Sequence, residues 1–297
     1  MSIIVNSVSK SYKYQKALNN ISFSADKGQI IGFLGPNGAG KSTMMKILTG
    51  YIKPNSGEVF VDEIDVLKNP IAAQKVFGYL PEHNPLYAEM YVREYLQFHA
   101  AIYKVAKNQI EDCIEKVGLT LEVNKKIHQL SKGYQQRVGI AAAILHNPKV
   151  LILDEPTTGL DPNQIIEIRA LIQELGKNKT VLFSTHIMQE VEAVCDRVII
   201  IKKGQILVDK KLEELQDSKQ QIIEVTFNTF FDEVIFQKLS NLSSVKNTLD
   251  NNWQLTFSSS EDVRSKIFDL AQENNLKILG LTTQNKNLET FFREVTN

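Results

Sequence analysis

The stretch Gly35-Pro36-Asn37-Gly38-Ala39-Gly40-Lys41-Ser42-Thr43 decides how the rest of the chain is interpreted. It follows the apolar run Ile30-Ile31-Gly32-Phe33-Leu34, which is typical of a buried strand, and it precedes residues 44–48, whose spacing predicts a helix. A glycine-rich loop in that context binds phosphate, because its backbone N–H groups point inward at a helix N-terminus. Lys41 is expected to reach the β- and γ-phosphates, and the Ser42 hydroxyl to ligate Mg²⁺. The alternative is a glycine-rich turn with a surface lysine; the full pattern favours a nucleoside triphosphate site.

Composition limits the class of protein. The 297 residues are 43% hydrophobic and 23% charged, which is ordinary for one large or two smaller globular domains. Lys+Arg and Asp+Glu both number 34, and this zero net charge argues against a general binder of nucleic acid or anionic membranes. Cys113 and Cys195 lack metal-ligand spacing and are expected to be free, buried thiols.

Two further absences bear on location. No apolar run approaches the roughly 20 residues of a membrane span, and the N-terminus shows no basic region or cleavage site of a signal peptide. We therefore expect a cytosolic chain whose membrane role, if it has one, comes through a partner.

Strand and helix patterns divide the chain into regions. Before residue 87, alternation predicts strands at 3–5, 17–24, 58–62 and 77–82, and a short helix at 70–75. Between about 87 and 146, helical spacing at 92–103 and 110–117 predicts an inserted helical subdomain. Strands at 150–153 and 180–184, joined by a helix at 163–175, predict a βαβ crossover and a parallel sheet. Residues 197–201 and 205–209 predict a closing hairpin.

A polar stretch at 217–221 predicts a linker between a domain of residues 1–217 and a second domain of residues 218–297. The second domain has a β-α-β-β-α-β order, which predicts a small α+β ferredoxin-like module. Its predicted elements are strands 222–227, 245–249, 253–258 and 276–282 and helices 231–242, 262–274 and 288–295. It carries no catalytic motif, so a packing or dimer-stabilising role is favoured over ligand sensing.

Two other motifs carry chemistry. Asp154 and Glu155 end an apolar strand, where an aspartate can hold Mg²⁺ and a glutamate can act as general base on water. Ser131 opens a predicted helix and suits an N-cap, which leaves N–H groups and a hydroxyl to meet an anion. In isolation this second motif is interpreted as a capped helix with a structural role.

The order of the motifs resembles the ATP-binding subunit of an ABC transporter over residues 1–217. Residues 35–43 match its Walker A motif, 130–135 its LSGGQ signature, 151–155 its Walker B motif, 159–161 its D-loop and 184–186 its switch histidine. The resemblance implies an α/β P-loop NTPase fold, namely an ABC-type nucleotide-binding domain with an inserted helical subdomain. It also implies ATP hydrolysis, with ATP and Mg²⁺ as the bound groups.

The resemblance assigns roles to single residues. Tyr12 stands where the family places an aromatic that stacks on adenine, and the alternative is an edge-strand tyrosine. His186 is implied to contact the γ-phosphate rather than to be a core histidine. The implied catalytic residues are Glu155, His186 and Lys41. The implied nucleotide-binding residues are Tyr12, Gly35, Pro36, Asn37, Gly38, Ala39, Gly40, Lys41, Ser42, Thr43, Glu82, Ser131, Gly133 and Asp161, and the implied Mg²⁺ ligands are Ser42, Asp154 and Glu82.

Two departures from the family pattern stand out. Glu82 occupies the position where the family usually has a glutamine; a carboxylate could contact Mg²⁺ more strongly but would repel the γ-phosphate. Lys132 and Tyr134 replace the usual Gly and Gln of the signature, whereas Ser131 and Gly133, which are expected to meet the γ-phosphate, are retained.

The resemblance also implies partners. One copy of each motif means that a complete site needs a second ATP-binding subunit, as a homodimer or a heterodimer, and transport needs an integral membrane permease. The chain would then be peripheral on the cytoplasmic face of the inner membrane. The tail resembles that of some ABC-2-type exporter ATPases, and residues 78–87 are similar to the gliding-motility-associated subunit of Bacteroidetes.

Two rival interpretations account for less of the sequence. A soluble ABC ATPase acting on ribosomes or DNA would carry two cassettes or long coiled coils, or a basic surface. A P-loop kinase or GTPase leaves residues 131–135 and His186 unexplained.

Overall fold

A mixed six-stranded sheet places the phosphate loop at the carboxyl end of a central strand. The computed structural model describes residues 1–216, 220–259, 262–285 and 292, and it divides the chain into two units, Met1–Leu212 and Glu213–Asn297. The strands of the first unit are β1 (Ile3–Tyr12), β2 (Gln15–Ala25), β3 (Ile30–Leu34), β4 (Ser56–Val61), β5 (Ile64–Asp65), β6 (Phe77–Leu80), β7 (Val150–Asp154), β8 (Thr180–Thr185), β9 (Arg197–Lys202) and β10 (Gln205–Lys211).

The helices of the first unit lie at or near predicted positions, except for the 3₁₀ turn at 127–129 and the helix at 188–194, which the sequence does not predict. They are α1 (Lys41–Leu48), α2 (Pro70–Gln74), α3 (Val92–Tyr103), α4 (Lys107–Lys116), a 3₁₀ turn (Ile127–Gln129), α5 (Lys132–Ile144), α6 (Pro162–Gly176) and α7 (Met188–Val194). A short helix, α8 (Leu212–Gln216), spans the division between the units. No helix among the described residues is long and apolar enough to cross a membrane.

The sheet order explains why β3, β7 and β8 are buried at every position. The six strands lie in the order β10-β9-β3-β8-β7-β6, with all neighbours parallel except the β9–β10 hairpin. Alternate residues of one strand enter two different cores: Val150 and Ile152 face one, and Leu151 and Leu153 face the other. A strand covered on both faces has no polar side to show, and this confirms the expected parallel β7–β8 crossover.

The two cores have different walls. One contains α1 and the antiparallel sheet β2-β1-β4-β5. The other contains apolar residues of α3, α4, α5 and α6, including Val92, Ile114 and Ile168. The helical segment predicted between about 87 and 146 thus packs against the sheet face opposite α1.

The second unit has a four-stranded antiparallel sheet in the order β12-β13-β11-β14. Its elements are β11 (Gln220–Phe227), a 3₁₀ helix (Glu233–Lys238), β12 (Leu242–Leu249), β13 (Asn252–Ser258), α9 (Arg264–Glu273) and β14 (Ile278–Asn285). This is the strand order of a ferredoxin-like module. The sheet packs its apolar face, with Val225, Trp253 and Phe257, against Phe236 and Ile267.

One predicted element is wrong. The helix expected at 231–242 is a six-residue 3₁₀ helix, Glu233–Lys238. The Asp232 side chain accepts from the Val234 N–H at its start, Leu239 turns to extended geometry, and Asn241 takes φ +63° to lead into β12. Leu242, which the sequence assigns to the helix, therefore belongs to β12 instead and pairs with Phe257. The helix predicted at 288–295 lies outside the described residues, apart from Phe292.

Candidate active site

The phosphate loop requires glycine at two positions for steric reasons. Gly40 precedes α1 with φ +113°, and a Cβ there would lie 2.6 Å from the Ala17 carbonyl oxygen. A Cβ on Gly35 would lie 2.4 Å from the Ile201 carbonyl oxygen. The loop is therefore pressed between β2 and β9, with the N-terminus of α1 at its end, and no larger side chain fits there.

Lys41 is buried inside this loop, with only 5% of its surface exposed. Its Nζ donates to the Gly35 carbonyl at 2.8 Å and to the Pro36 carbonyl at 3.4 Å, and it lies 3.2 Å from Glu155 Oε1. The loop carbonyls and the Glu155 carboxylate thus aim a single cation at the centre of the phosphate loop.

Asp154, at the end of β7, forms the oxygen-rich side of the site. Its Oδ1 accepts from the Ser184 hydroxyl at 2.5 Å and from the Ser42 hydroxyl at 3.2 Å. Burial raises the pKa of the Asp154 carboxyl, the two serine hydroxyls lower it, and the charges of Glu82 and Glu155 raise it further. A nearly inaccessible carboxylate beside like charges is stabilised by a cation, and a hydroxyl with a carboxylate is a ligand pair that suits Mg²⁺.

Glu155 joins three parts of the site. Its side chain is 7% exposed, and its Oε2 lies 2.9 Å from His186 Nδ1 while Oε1 faces Lys41. The backbone of Glu155 takes φ +49°, an unusual value for a glutamate, and its N–H donates to the Ser184 hydroxyl at 3.0 Å. This turn at the strand end directs the carboxylate away from the sheet and toward Lys41 and His186.

The loop and the strand ends enclose a cleft of about 410 Å³. The predicted residues that line it are Tyr12, Asn37, Gly38, Gly40, Lys41, Ser42, Thr43, Glu82 and Glu155. Gly35, Pro36 and Ala39 shape the loop behind them. The structure thus gathers residues from four separate sequence regions around one cavity, with Tyr12 at the edge and 47% exposed.

The signature residues lie elsewhere. Ser131 caps α5 by accepting from the Tyr134 N–H at 3.4 Å, as the sequence predicted. Ser131 and Gly133 line a separate groove of about 160 Å³ with Gln164. Asp161 caps α6 through the Gln164 N–H at 2.9 Å. None of these residues lines the phosphate cleft of its own chain.

Sequence reasoning missed Glu190. It lies on α7, four residues after His186, and is 1% exposed. Its carboxylate accepts from the hydroxyls of Thr157 and Thr185, which flank the Glu155 and His186 motifs. A glutamate in a mixed helical segment gives no local signal of burial, and only the fold brings it under the site.

Comparisons with known proteins point to one family. A family model described as ABC transporter matches residues 18–158. The bacitracin transport ATP-binding protein BcrA of Bacillus licheniformis is 34% identical to the chain, over 98% of this chain and 97% of its own length. The linearmycin resistance ATP-binding protein LnrL of Bacillus subtilis (strain 168) is 32% identical, over 97% and 96% respectively.

A solved structure adds a view of the reaction products. The dimeric post-hydrolysis state of the ATP-binding cassette MJ0796, bound to ADP and Pi, is 28% identical with a TM-score of 0.65. It covers 71% of this chain and 98% of that one. The chain is therefore similar to a cassette captured with the products of ATP hydrolysis.

Proposed function

The chain belongs to the ATP-binding subunits of ABC transporters and is an ABC-type ATPase, and on this premise we propose that Glu155 is its general base. The observation that carries the proposal is the place of the Glu155 carboxylate, 3.2 Å from Lys41 and 2.9 Å from His186 at the wall of the phosphate cleft. Because Lys41 contacts Glu155 directly, a γ-phosphate that Lys41 binds also lies beside Glu155. Water attacking that phosphate can then transfer its proton to the carboxylate.

The other residues act by position and charge. Lys41 and the loop N–H groups balance the phosphate charge that moves toward the leaving oxygen. His186, hydrogen-bonded to Glu155, donates to the γ-phosphate from the opposite side. Tyr12 stacks on the adenine ring at the mouth of the cleft. Catalysis of this kind needs no covalent intermediate with the protein.

We infer that Ser42 and Asp154 hold Mg²⁺. The Ser42 hydroxyl and the buried Asp154 carboxylate converge at 3.2 Å, and these are hard oxygen donors. Among the described residues no group of three His, Cys, Asp or Glu side chains could hold a metal, which suits an ion that takes few protein ligands and completes its shell with phosphate and water. When bound, Mg²⁺ neutralises charge on the β- and γ-phosphates.

Glu82 is the chain's own variation on this metal site. It follows β6, lines the phosphate cleft, and is close enough to raise the pKa of Asp154. We expect Glu82 to strengthen Mg²⁺ binding. Glu82→Gln, which restores the usual amide, should raise the Mg²⁺ concentration for half-maximal ATPase activity several-fold. If Glu82→Gln needs the same or a lower Mg²⁺ concentration for half-maximal activity, Glu82 is not part of the metal site.

A complete site requires a second subunit. Ser131 and Gly133 line their own groove, away from the phosphate cleft of the same chain. We propose that they cap the ATP held by the loop of a second copy. A mixing experiment tests this. Lys41→Ala and Ser131→Arg should each be inactive alone, and an equal mixture should recover about one quarter of the wild-type rate, because about half of the dimers are mixed and each of these has one intact site of two. No recovery after demonstrated subunit exchange would contradict the composite site.

The membrane partner is expected to contact the helical segment. A cleft of about 650 Å³ lies beside the phosphate cleft, and Ser42 and Glu82 line both. Tyr95 lines this larger cleft and contacts Tyr87, which with Phe98 forms an exposed aromatic patch (54% and 42% exposed). Contiguous exposed aromatics mark interaction surfaces, and this one is next to the residues that sense the γ-phosphate. We propose that a cytoplasmic segment of an integral membrane permease docks there, which would place the chain on the cytoplasmic face of the inner membrane.

Photo-cross-linking tests the docking surface. A photoreactive phenylalanine derivative at Tyr87 should form an adduct with an integral membrane protein in native membranes. The same derivative at Tyr14, which is fully exposed and does not line the larger cleft, is the matched control and should not. Equal labelling at both positions, or labelling of soluble proteins alone, would exclude this face.

We propose export as the direction of transport, through an ABC-2-type permease. The support is the match to BcrA and LnrL over almost the full length of both, including the C-terminal region, since resistance to a toxic compound is achieved by moving it outward. A role in gliding motility stays a prediction from residues 78–87. Deletion of the gene should abolish surface gliding if that prediction holds, whereas normal gliding would leave the exporter proposal intact.

A further inference from the structure

Glu190 is a buried carboxylate that spans two strand ends. Its Oε1 accepts from the Thr157 hydroxyl, and its Oε2 accepts from the Thr185 hydroxyl at 2.6 Å. Thr157 and Thr185 are themselves buried, at 3% and 0% exposure. Thr157 lies two residues after Glu155, and Thr185 lies immediately before His186. One side chain therefore ties the segment after β7 to the end of β8.

These contacts close a ring through the catalytic pair. Glu155 Oε2 lies 2.9 Å from His186 Nδ1, so the ring runs from Glu155 through Thr157, Glu190 and Thr185 to His186 and back. Each link is either a hydrogen bond or one to two residues of backbone. The positions of both members of the pair are thus fixed from behind as well as by each other.

Thr185 extends this restraint across the histidine. While its hydroxyl donates to Glu190, the same oxygen accepts from the Ile187 N–H at 3.0 Å. The backbone is therefore held on both sides of His186, at residues 185 and 187. The His186 side chain itself is 43% exposed. Its orientation depends on this backbone clamp and on Glu155.

A positively charged side chain also lies near the Glu190 carboxylate. Arg169, on α6, lies 3.9 Å from Glu190 Oε1. The Arg169 Nε is buried without a hydrogen-bond partner among the described residues. Because a buried ion pair often contributes little net stability, a role in positioning accounts for Glu190 better than a role in stability.

We propose that Glu190 is a positioning residue for ATP hydrolysis, which sets the geometry of Glu155 and His186 through Thr157 and Thr185. This inference rests on the proposed roles of that pair. A carboxylate accepts from both threonines at once, whereas an amide accepts through its oxygen and donates through its nitrogen. Glu190→Gln therefore keeps the shape but forces one threonine hydroxyl to accept instead of donate, which disturbs the connection. Catalytic groups tolerate only small displacements, and a shift near 1 Å can cost about 10²-fold in rate.

The experiment measures single-turnover ATP hydrolysis and ATP affinity of the full chain for Glu190→Gln, His186→Ala and the double variant. We expect Glu190→Gln to lower the rate about tenfold or more while ATP affinity stays within about twofold. In the His186→Ala background Glu190→Gln should lower the rate by less than about the square root of the factor seen in the wild-type chain, because a large part of its effect is transmitted through His186. A rate within twofold of wild type for Glu190→Gln, or full multiplication of the two effects, would overturn the inference.

Two threonine variants keep the test decisive if Glu190→Gln does not fold. Thr185→Val removes the hydroxyl with little change in shape and should reproduce the loss of rate. Thr185→Ser retains the hydroxyl and should restore the rate, a result that a packing role for the methyl group would not give. If His186→Ala and Glu155→Gln retain full activity, the proposed catalytic pair is wrong; if they lose activity while Glu190→Gln and Thr185→Val do not, Glu190 alone is wrongly assigned.

Discussion

Replacement of Glu155 by glutamine separates chemistry from binding. Glutamine has nearly the shape of glutamate, so it can still meet Lys41 at 3.2 Å and His186 at 2.9 Å by hydrogen bonds. It cannot accept a proton from water. Since general base catalysis contributes about 10²–10⁴-fold, the turnover of Glu155→Gln should fall by that factor.

The same substitution should leave ATP binding equal or tighter. In the proposed site the carboxylate stands beside the γ-phosphate that Lys41 would hold, and two unit charges about 5 Å apart repel by roughly 3 kcal/mol at an effective dielectric of about 20. Removing that repulsion offsets the loss of the ion pair to Lys41, which keeps its bonds to the carbonyls of Gly35 and Pro36.

The assay combines phosphate release at saturating ATP with titration calorimetry of nucleotide binding. Glu174→Gln is the control, because Glu174 is 52% exposed and pairs with Lys177 on the surface of α6. Thermal unfolding establishes that both variants are folded. If Glu155→Gln keeps more than about a tenth of the wild-type rate, or if it loses ATP affinity in step with the rate, Glu155 is not the general base.

Three other predictions address the edges of the site and the fold. Tyr12→Ala should raise the KM for ATP about five- to a hundredfold with little change in kcat, because stacking on a base contributes about 1–3 kcal/mol. Tyr12→Phe keeps the ring and should behave as wild type. Equal effects of the two substitutions would contradict stacking. Gly78→Ala places a Cβ 2.0 Å from the Ala143 carbonyl oxygen. The substitution should therefore push α5 away from β6 and lower the free energy of unfolding, measured by urea titration, by about 1–3 kcal/mol. An unchanged urea midpoint would refute that contact. Burial lowers the pKa of His146 below its ordinary 6.5, so the fold favours the neutral ring and loses stability as pH falls through the unfolded pKa toward the folded one. His146→Gln should lose less stability than wild type between about pH 7 and pH 5, whereas parallel pH curves would show that His146 does not contribute.

The parts of the site that the sequence predicted are those with local causes. The phosphate loop is recognisable in the sequence from its glycines and from the apolar strand and the helix that flank it. A Cβ on Gly35 or Gly40 would meet neighbouring backbone, so glycine is required there. Ser131 was expected to cap α5 because a short hydroxyl before a helical run has that preference, and the structure confirms it.

The parts that the sequence could not predict depend on long-range order. Insertion of β3 between β8 and β9 brings Lys41 beside Glu155, over a separation of more than a hundred residues, and nothing local encodes that neighbour. Glu190 is likewise brought to the site only by the fold, and nothing local in the sequence marks it. The helix predicted at 231–242 is wrong because the local pattern favours a helix, whereas the structure ends it early. The turn at Asn241 and the strand pairing of Leu242 replace its last residues.

We propose that this ATPase powers a membrane partner. The most direct measurement is affinity capture of the tagged full chain from detergent-solubilised native membranes, with wild type and Glu155→Gln side by side, followed by mass spectrometry. We expect a multi-span integral membrane protein to be recovered with both. Recovery of ribosomes or DNA with no integral membrane protein would contradict the transporter claim, although the ATPase site would stand.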